Sequence, residues 1–278
     1  MIEKSRINDW ITKATTDLKN VGIMSARLDA ELLLAHTLHR PRTWLHGHSD
    51  EPLDDRQTEI ANARLDLRLD RVPIAYIVGH REFYGRRFKV TTATLIPRPE
   101  SEDIIDTVKS LTEKNLELFQ TKPALVDVGT GSGCLGITLK LELPDLDVTL
   151  SDISQAALTI AEQNAKILGA KIRILKSNLL DTYPLKADFI VANLPYVDPA
   201  WERSPETDYE PAAALFADNG GLELMIKLIV QAKSVLKPSG YLILEADPVQ
   251  HASLINQAKQ SGLKFISAQN YCVVFQQA

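Results

Sequence analysis

Ala124-Leu125-Val126-Asp127-Val128-Gly129-Thr130-Gly131-Ser132-Gly133 carries an apolar run straight into a Gly-x-Gly-x-Gly turn. The run suits a buried strand and the residues after Gly133 suit a helix, so the stretch reads as strand, loop, helix. Its glycines allow positive φ and let a bound molecule approach the backbone closely. At the end of the next expected strand, 147–151, Asp152 can hold a ribose diol through its two carboxylate oxygens. The pattern alone is ambiguous, because Gly131-x-Gly133-x-x-Gly136 also fits a dinucleotide fingerprint.

Two features favour S-adenosyl-L-methionine, with S-adenosyl-L-homocysteine as its product. Asp127 precedes the first glycine, where a carboxylate can fix the loop or meet a cofactor's amino group. A dinucleotide also needs a pyrophosphate seat at the helix start, which a sulfonium cofactor does not. Asp127, Gly129, Thr130, Gly131, Ser132, Gly133 and Asp152 are therefore the expected cofactor contacts. After the third strand, Asn178 can bond the amino edge of an adenine and Leu179 can pack on its face. A plain turn role for Asn178 fits equally well.

From Ala124 onward strands and helices alternate, which implies a parallel sheet. Strands are expected at 124–128, 147–151, 171–175, 187–192, 240–246, 264–268 and 271–276. The last two lie too close for a crossover helix and should pair antiparallel. The fold class is α/β: a Rossmann-like, seven-stranded, S-adenosylmethionine-dependent methyltransferase domain (94–278) behind a small N-terminal helical bundle (1–75). In the bundle, Ile7, Trp10, Ile11, Ala14 and Leu18 recur at helical spacing before Gly22. Ser25 is placed to cap a second helix carrying Leu28, Leu32, Leu33, Ala35 and Leu38. A third helix follows Asp54-Asp55, presents Ile60, Ala61, Ala63, Leu65 and Leu69, and stops before Pro73. Residues 76–93 form a connector whose alternation and glycines suggest a β-hairpin. Pro99 and the acids after it suit the start of a helix running to about Leu118.

Ala187-Asp188-Phe189-Ile190-Val191-Ala192 reads as another buried strand, and Asn193-Leu194-Pro195-Tyr196 follows its carboxyl end, where open α/β sheets bind ligands. The tetrapeptide suits a planar NH2 group: the Asn oxygen can accept from it, and the Pro and Tyr faces can pack on it. With the glycine loop, this points to methyl transfer onto an amide or amine nitrogen. Asn193, Pro195 and Tyr196 are the candidate catalytic residues, Leu194 joins them in holding the acceptor, and Asn193 also borders the cofactor.

Composition narrows the acceptor. Hydrophobic residues make up 45% and charged residues 24% of the 278, as in a soluble globular protein with a full core. Residues 1–88 hold 14 Lys+Arg against 13 Asp+Glu, whereas residues 89–278 hold 17 against 23. The acidic second part argues against broad binding of a phosphate backbone, so no direct nucleic-acid partner is expected. Cys134 and Cys272 lack metal or disulfide spacing, which makes a reducing compartment the default. The start, Met1 to Asp9, lacks an apolar signal core, and no apolar stretch reaches spanning length. A cytoplasmic, monomeric protein with no membrane partner is expected. His36, His39, His46 and His48 lack a Cys or acid to complete a tetrahedral set, so no metal is expected. Arg98 either neutralises cofactor or acceptor groups or, the reading favoured slightly, pairs with Glu100 and Glu102; Cys134 is read as packing, and Trp10 and Trp44 as core; Asp208 and Glu210 either order the pocket loop or are solvated.

The residues resemble one family, the bacterial release factor glutamine methyltransferases, also called the HemK or PrmC family. The likeness covers nearly the whole chain. It rests on Pro73–Gly79 with Phe83-Tyr84-Gly85, on Leu95-Ile96-Pro97-Arg98-Pro99-Glu100-Ser101-Glu102, on the loop Asp127–Gly133, and on Asp208-Tyr209-Glu210-Pro211 through Phe216. Two departures stand out: Ser101 replaces the family's usual Thr, and Leu194 the first Pro of Asn-Pro-Pro-Tyr. The resemblance implies methylation of the glutamine side-chain nitrogen in the Gly-Gly-Gln loop of class-1 peptide chain release factors, with the helical bundle engaging that partner. It assigns acceptor binding to the Asn193 side chain, the backbone carbonyl after it and the Tyr196 ring. Rival readings are an adenine amino-group methyltransferase on DNA or RNA, and a non-catalytic adaptor that retains the fold.

Overall fold

The computed structural model describes residues 5–115 and 122–278, in two compact units. Residues 116–118, the expected end of the helix after Pro99, lie outside the described residues, as do residues 1–4.

The first unit is helical: α1 (Ile7–Asn20), α2 (Ala26–Leu38), α3 (Arg42–Gly47), α4 (Asp55–Leu69) and α5 (Ile74–Val78). Ile7, Trp10, Leu18, Leu33, Leu34 and Leu45 are buried together at its centre. The α4 start is closed by a capping box, in which Asp54 accepts from the Gln57 amide and Gln57 reaches back to the Asp54 amide. Ser25 precedes α2 without a side-chain cap. Leu28 and Ile60, expected on buried faces, are 42% and 37% exposed, and the α4 core face is Ala61, Leu65 and Arg68. The Arg68 guanidinium is neutralised by buried Asp29 at 2.7 Å, as a buried charge requires. The unit ends at His80 but also takes in Ser204–Tyr209. There Glu206 accepts from Arg68 at 3.1 Å and Arg71 at 3.4 Å, and the Tyr209 hydroxyl donates to the Asp70 carbonyl.

The connector is partly helical, since Ile74–Val78 closes as α5, and the hairpin is confined to β1 (His80–Phe83) and β2 (Arg86–Lys89). Tyr84 and Gly85, both at positive φ, make the two-residue turn that suits such a hairpin. Phe83 and Phe88 project from it into the core of the second unit. A single 3-10 turn at Pro99–Ser101 then leads into α6 (Glu102–Lys114).

The remaining elements are β3 (Ala124–Val128), α7 (Cys134–Glu142), β4 (Asp147–Asp152), α8 (Gln155–Leu168), β5 (Arg173–Lys176), β6 (Ala187–Ala192), α9 (Ala212–Leu215), α10 (Glu223–Val235), β7 (Leu236–Glu245), α11 (His251–Gln260), β8 (Leu263–Gln269) and β9 (Cys272–Gln277). The seven-stranded sheet has the order β5-β4-β3-β6-β7-β9-β8, with β9 antiparallel to both its neighbours. Every residue of β3 and β6 is buried, as helices on both faces of a parallel sheet demand. The chain leaves β3 toward β4 and later returns to β3's other side as β6, which makes the carboxyl ends of β3 and β6 a topological switch point.

Register fixes what meets there. Val128 is level with Ser151 and Ala192, and Ala192 with Leu244. One residue further on, Asp152, Gly129, Asn193 and Glu245 form a row across four adjacent strands.

Candidate active site

Asp152, Gly129 and Asn193 of this row line a cavity of about 280 Å³. On one side, the glycine loop is tied down by its own backbone: Gly129 and Thr130 donate to the Ser151 carbonyl, and Gly133 donates to Thr130. Gly129, Gly131 and Gly133 all take positive φ, which the turn needs. Asp152 uses one carboxylate oxygen on the Gly131 amide at 2.9 Å and the other on the Ser154 amide at 2.8 Å. Each oxygen keeps a lone pair, and Asp152 lines the cavity.

Asp127 does the fixing from beneath. Its Oδ2 accepts from the Thr130 hydroxyl at 2.6 Å and the Gly136 amide at 2.9 Å, while Oδ1 is buried without a hydrogen-bond partner. Burial pushes this carboxyl up to about 6 against the pull of those two hydrogen bonds, and the charge of Asp152 adds to the rise. Asp127 is not among the cavity-lining residues, and its two hydrogen bonds go to the loop and the start of α7. Buried Asn164 strengthens the same loop by donating to the Ser132 carbonyl and exchanging bonds with the Lys89 backbone.

The other side of the cavity is made by side chains. The Asn193 amide nitrogen donates to the Ser101 hydroxyl oxygen at 2.9 Å, and Ser101 donates to Glu245 Oε2 at 2.5 Å. The Tyr196 hydroxyl donates to Glu245 Oε1 at 3.0 Å. Glu245 is 1% exposed; burial raises its carboxyl pKa, with the nearby charge of Glu100 adding, while hydrogen bonds from Ser101, Tyr196 and Asn193 pull it back. Burial and Glu245 together raise the Tyr196 phenol, which stays neutral. The Tyr196 backbone is pinned as well: Gln250 donates to its carbonyl at 2.9 Å, and a Cβ at Gly221 would lie 1.8 Å from the same oxygen.

Residues 9–79 match the PrmC N-terminal domain family, and residues 101–220 the methyltransferase small domain family. A release factor glutamine methyltransferase of Deinococcus radiodurans is 33% identical, over 92% of this chain and 91% of that protein. One from Koribacter versatilis is 37% identical over 85% and 86%. The chain belongs to the release factor glutamine methyltransferase family. It also matches a bifunctional methyltransferase of Rickettsia conorii at 36% identity over 86% of the chain, and there it spans about half the relative's length, 50%. A methyltransferase from Pyrococcus furiosus has TM-score 0.52 and 16% identity, covering 81% of this chain and all of that one (100%). The hMettl16 catalytic domain in complex with an RNA hairpin gives 0.52 and 16%, over 81% and 82%. At that identity these two likenesses establish the fold.

In this release factor glutamine methyltransferase family member the structure brings Gly129, Thr130, Gly131, Ser132, Asp152, Asn178, Leu179, Asn193, Leu194 and Pro195 to one cavity. Asn178 is exposed at its rim, and Leu179 is buried with φ at 51°. Gly133 stands behind the wall, where a Cβ would meet Ile137 at 2.6 Å. Tyr196 is not among the lining residues; its ring packs at the sheet's core and its hydroxyl is spent on Glu245. Leu194 is 4% exposed and covers the glycine loop, close enough that a Cβ at Gly129 would lie 2.8 Å from its Cδ2. Arg98 pairs with Glu210 instead of Glu100 or Glu102, and Glu210 is buried, accepting also from the Ile96 amide at 3.0 Å. Burial pushes the Cys134 thiol up to about 12, which suits packing and not attack. Among the described residues no three His, Cys, Asp or Glu gather as metal ligands, and no helix is long and apolar enough to cross a membrane.

Sequence reasoning missed Glu245, Gln250 and Asn164. Glu245 left a signal, a lone acid ending the apolar run Tyr241–Leu244, because such a buried carboxyl must be hydrogen-bonded. Ile153 was also missed: it is 64% exposed yet lines the cavity next to Asp152.

Proposed function

We propose that the chain methylates the side-chain nitrogen of the Gly-Gly-Gln glutamine in class-1 peptide chain release factors, using S-adenosyl-L-methionine. The observation that carries this reading is the juxtaposition in one cavity of Asp152 and the glycine loop with Asn193-Leu194-Pro195. Family membership supplies the acceptor class, since the relatives from Deinococcus radiodurans and Koribacter versatilis are named for it.

The residues present fit the cofactor. Asp152 offers free lone pairs for a ribose diol, Ile153 and Leu179 offer apolar faces for a base, and a Cβ at Gly131 would project into space clear within 4 Å. When bound, the cofactor supplies an electrophilic methyl group on sulfur.

The protein's own work falls on the acceptor. A glutamine amide nitrogen is a weak nucleophile because its lone pair is delocalised into the carbonyl. Asn193 Oδ1 and the Leu194 carbonyl each accept one N–H, which fixes the nitrogen's orientation and favours a localised lone pair. Pro195 walls the slot, and Leu95 at the cavity's edge helps close it against water. The N–CH3 bond would form as the S–CH3 bond breaks, and the displaced N–H proton, made acidic once nitrogen carries the methyl group, would pass to solvent, so catalysis rests on positioning and electrostatics and needs no strong base. A reaction on a factor that works on the ribosome places the enzyme in the cytoplasm.

The deciding experiment incubates the full chain with methyl-labelled cofactor and, in separate tubes, release factor, DNA and RNA. Label on the release factor, lost when its Gly-Gly-Gln glutamine becomes Ala, is the expected result. Label on nucleic acid alone, or on nothing while the cofactor still binds, overturns the reading.

A further inference from the structure

We propose that Glu245 is a positioning residue that acts through Ser101 to hold the Asn193 amide with its oxygen toward the acceptor. The inference rests on the acceptor reading above and adds two residues to it.

The argument is one of hydrogen-bond direction. Both Glu245 carboxyl oxygens serve as acceptors, Oε2 from the Ser101 hydroxyl and Oε1 from the Tyr196 hydroxyl. Ser101, 2.5 Å from Glu245 Oε2, must therefore donate its single proton there. Its oxygen is left as an acceptor, and the Asn193 Nδ2 at 2.9 Å donates to it. With nitrogen so engaged, the oxygen at the other end of the planar amide is the end left for the cavity that Asn193 lines. The order carboxylate, hydroxyl, amide thus selects one of two amide orientations. Reversing it would present an NH2 group to another NH2 group, with no hydrogen bond possible.

Placement supports the same conclusion. Glu245 is the last residue of β7 and stands in the row with Asn193, while Ser101 comes from the turn before α6. Glu245 and Ser101 are 1% and 2% exposed. The second Glu245 oxygen takes the Tyr196 hydroxyl, so one carboxylate holds both ends of the tetrapeptide. A carboxyl buried this deeply costs stability unless its hydrogen bonds are made, and all of these go to Asn193, Tyr196 or their intermediary.

The test uses the full chain and five variants. Glu245→Gln keeps size but can donate toward Ser101, which frees the serine proton for Asn193 and disturbs the order. It should lower turnover on release factor by roughly ten- to a hundredfold, with affinity for S-adenosyl-L-methionine by calorimetry changed less than about twofold. Ser101→Ala should do the same, and the double variant should lose no more than the worse single one, the signature of a shared chain. Ser101→Thr, which keeps the hydroxyl, should recover most of the loss. The readout independent of activity is the Asn193 side-chain amide resonance in a nitrogen–proton NMR spectrum, identified by its absence in Asn193→Ala. It should shift in both Glu245→Gln and Ser101→Ala. Losses that add fully, or an Asn193 resonance unmoved in both variants, would overturn the proposal. A wild-type protein that labels no release factor while that resonance still shifts counts against the acceptor reading and leaves the relay standing.

Discussion

The two sides of the cavity are built by different means. The glycine-loop side, proposed to hold the cofactor, is mostly backbone: within Asp127–Gly136, amides and one short-range carboxylate fold the loop onto itself and onto Asp152. The other side, proposed to hold the acceptor, is backed by side chains from Ser101, Asn193, Tyr196 and Glu245, which the register of β6 with β7 and the turn before α6 bring together. A backbone site tolerates changes in the side chains around it but not in its glycines. A side-chain site tolerates backbone drift but loses its function with any one member of the set.

The sharpest way to break this contrast is Asn193→Ala, which should cut turnover by about a hundred- to a thousandfold, some 3–4 kcal/mol of transition-state stabilisation. Cofactor affinity should move less than about fivefold, and calorimetry reporting an equal loss of binding would merge the two sides into one. Asp152→Ala is the converse. It should weaken the cofactor by roughly tenfold to a hundredfold in Kd, by loss of charge-assisted hydrogen bonds, with turnover at saturating cofactor much less affected.

Asp127 sharpens the comparison by pH. Its folded carboxyl sits at about 6 against an ordinary 3.8, so the neutral form is favoured in the fold. Its contribution to stability is full below pH about 4 and is lost as pH rises through about 6, a change of order 2–3 kcal/mol. Asp127→Asn should flatten the melting temperature between those values, and a profile as steep as wild type would remove the loop's dependence on this acid.

The smallest expected effect lies outside both sides. Burial opposes ionisation of Glu206, but hydrogen bonds from Ser204 and Arg68 prevail and hold its carboxyl down at about 2. That contribution is present above pH about 4.5 and fades as pH falls through 2. Because Arg68 keeps Asp29, Glu206→Gln should cost the helical unit only about 1–2 kcal/mol, measured by urea unfolding at pH 7. No loss of turnover beyond twofold should accompany it.

The same contrast explains what the sequence reveals. The glycine loop, Asp152 and all seven strands are legible because each depends on residues near in sequence, on periodicity and turn chemistry. The antiparallel close of the sheet follows from loop length alone. Illegible are the contacts between residues far apart in sequence. Arg98 goes to Glu210 across more than a hundred residues, not to the adjacent acids, since a buried carboxylate has more to gain from a guanidinium than an exposed one. Tyr196 shows the same effect: its type and position suggest a ring facing the acceptor, and only the fold reveals Glu245 behind it. Ser25 and Leu28 misled for a local reason, because α2 is apolar around most of its circumference and its pattern does not define one face.

The excursion of Ser204–Tyr209 into the helical unit bears on how such chains can be recombined. The chain passes between units at His80, at Arg203 and again at Glu210, so the helical module is discontinuous in sequence. Exchanging it between relatives by a single splice after residue 80 would pair one parent's Arg68 and Arg71 with the other parent's Glu206 position. A working chimera therefore needs a two-segment graft, and evolution is expected to have altered both segments together.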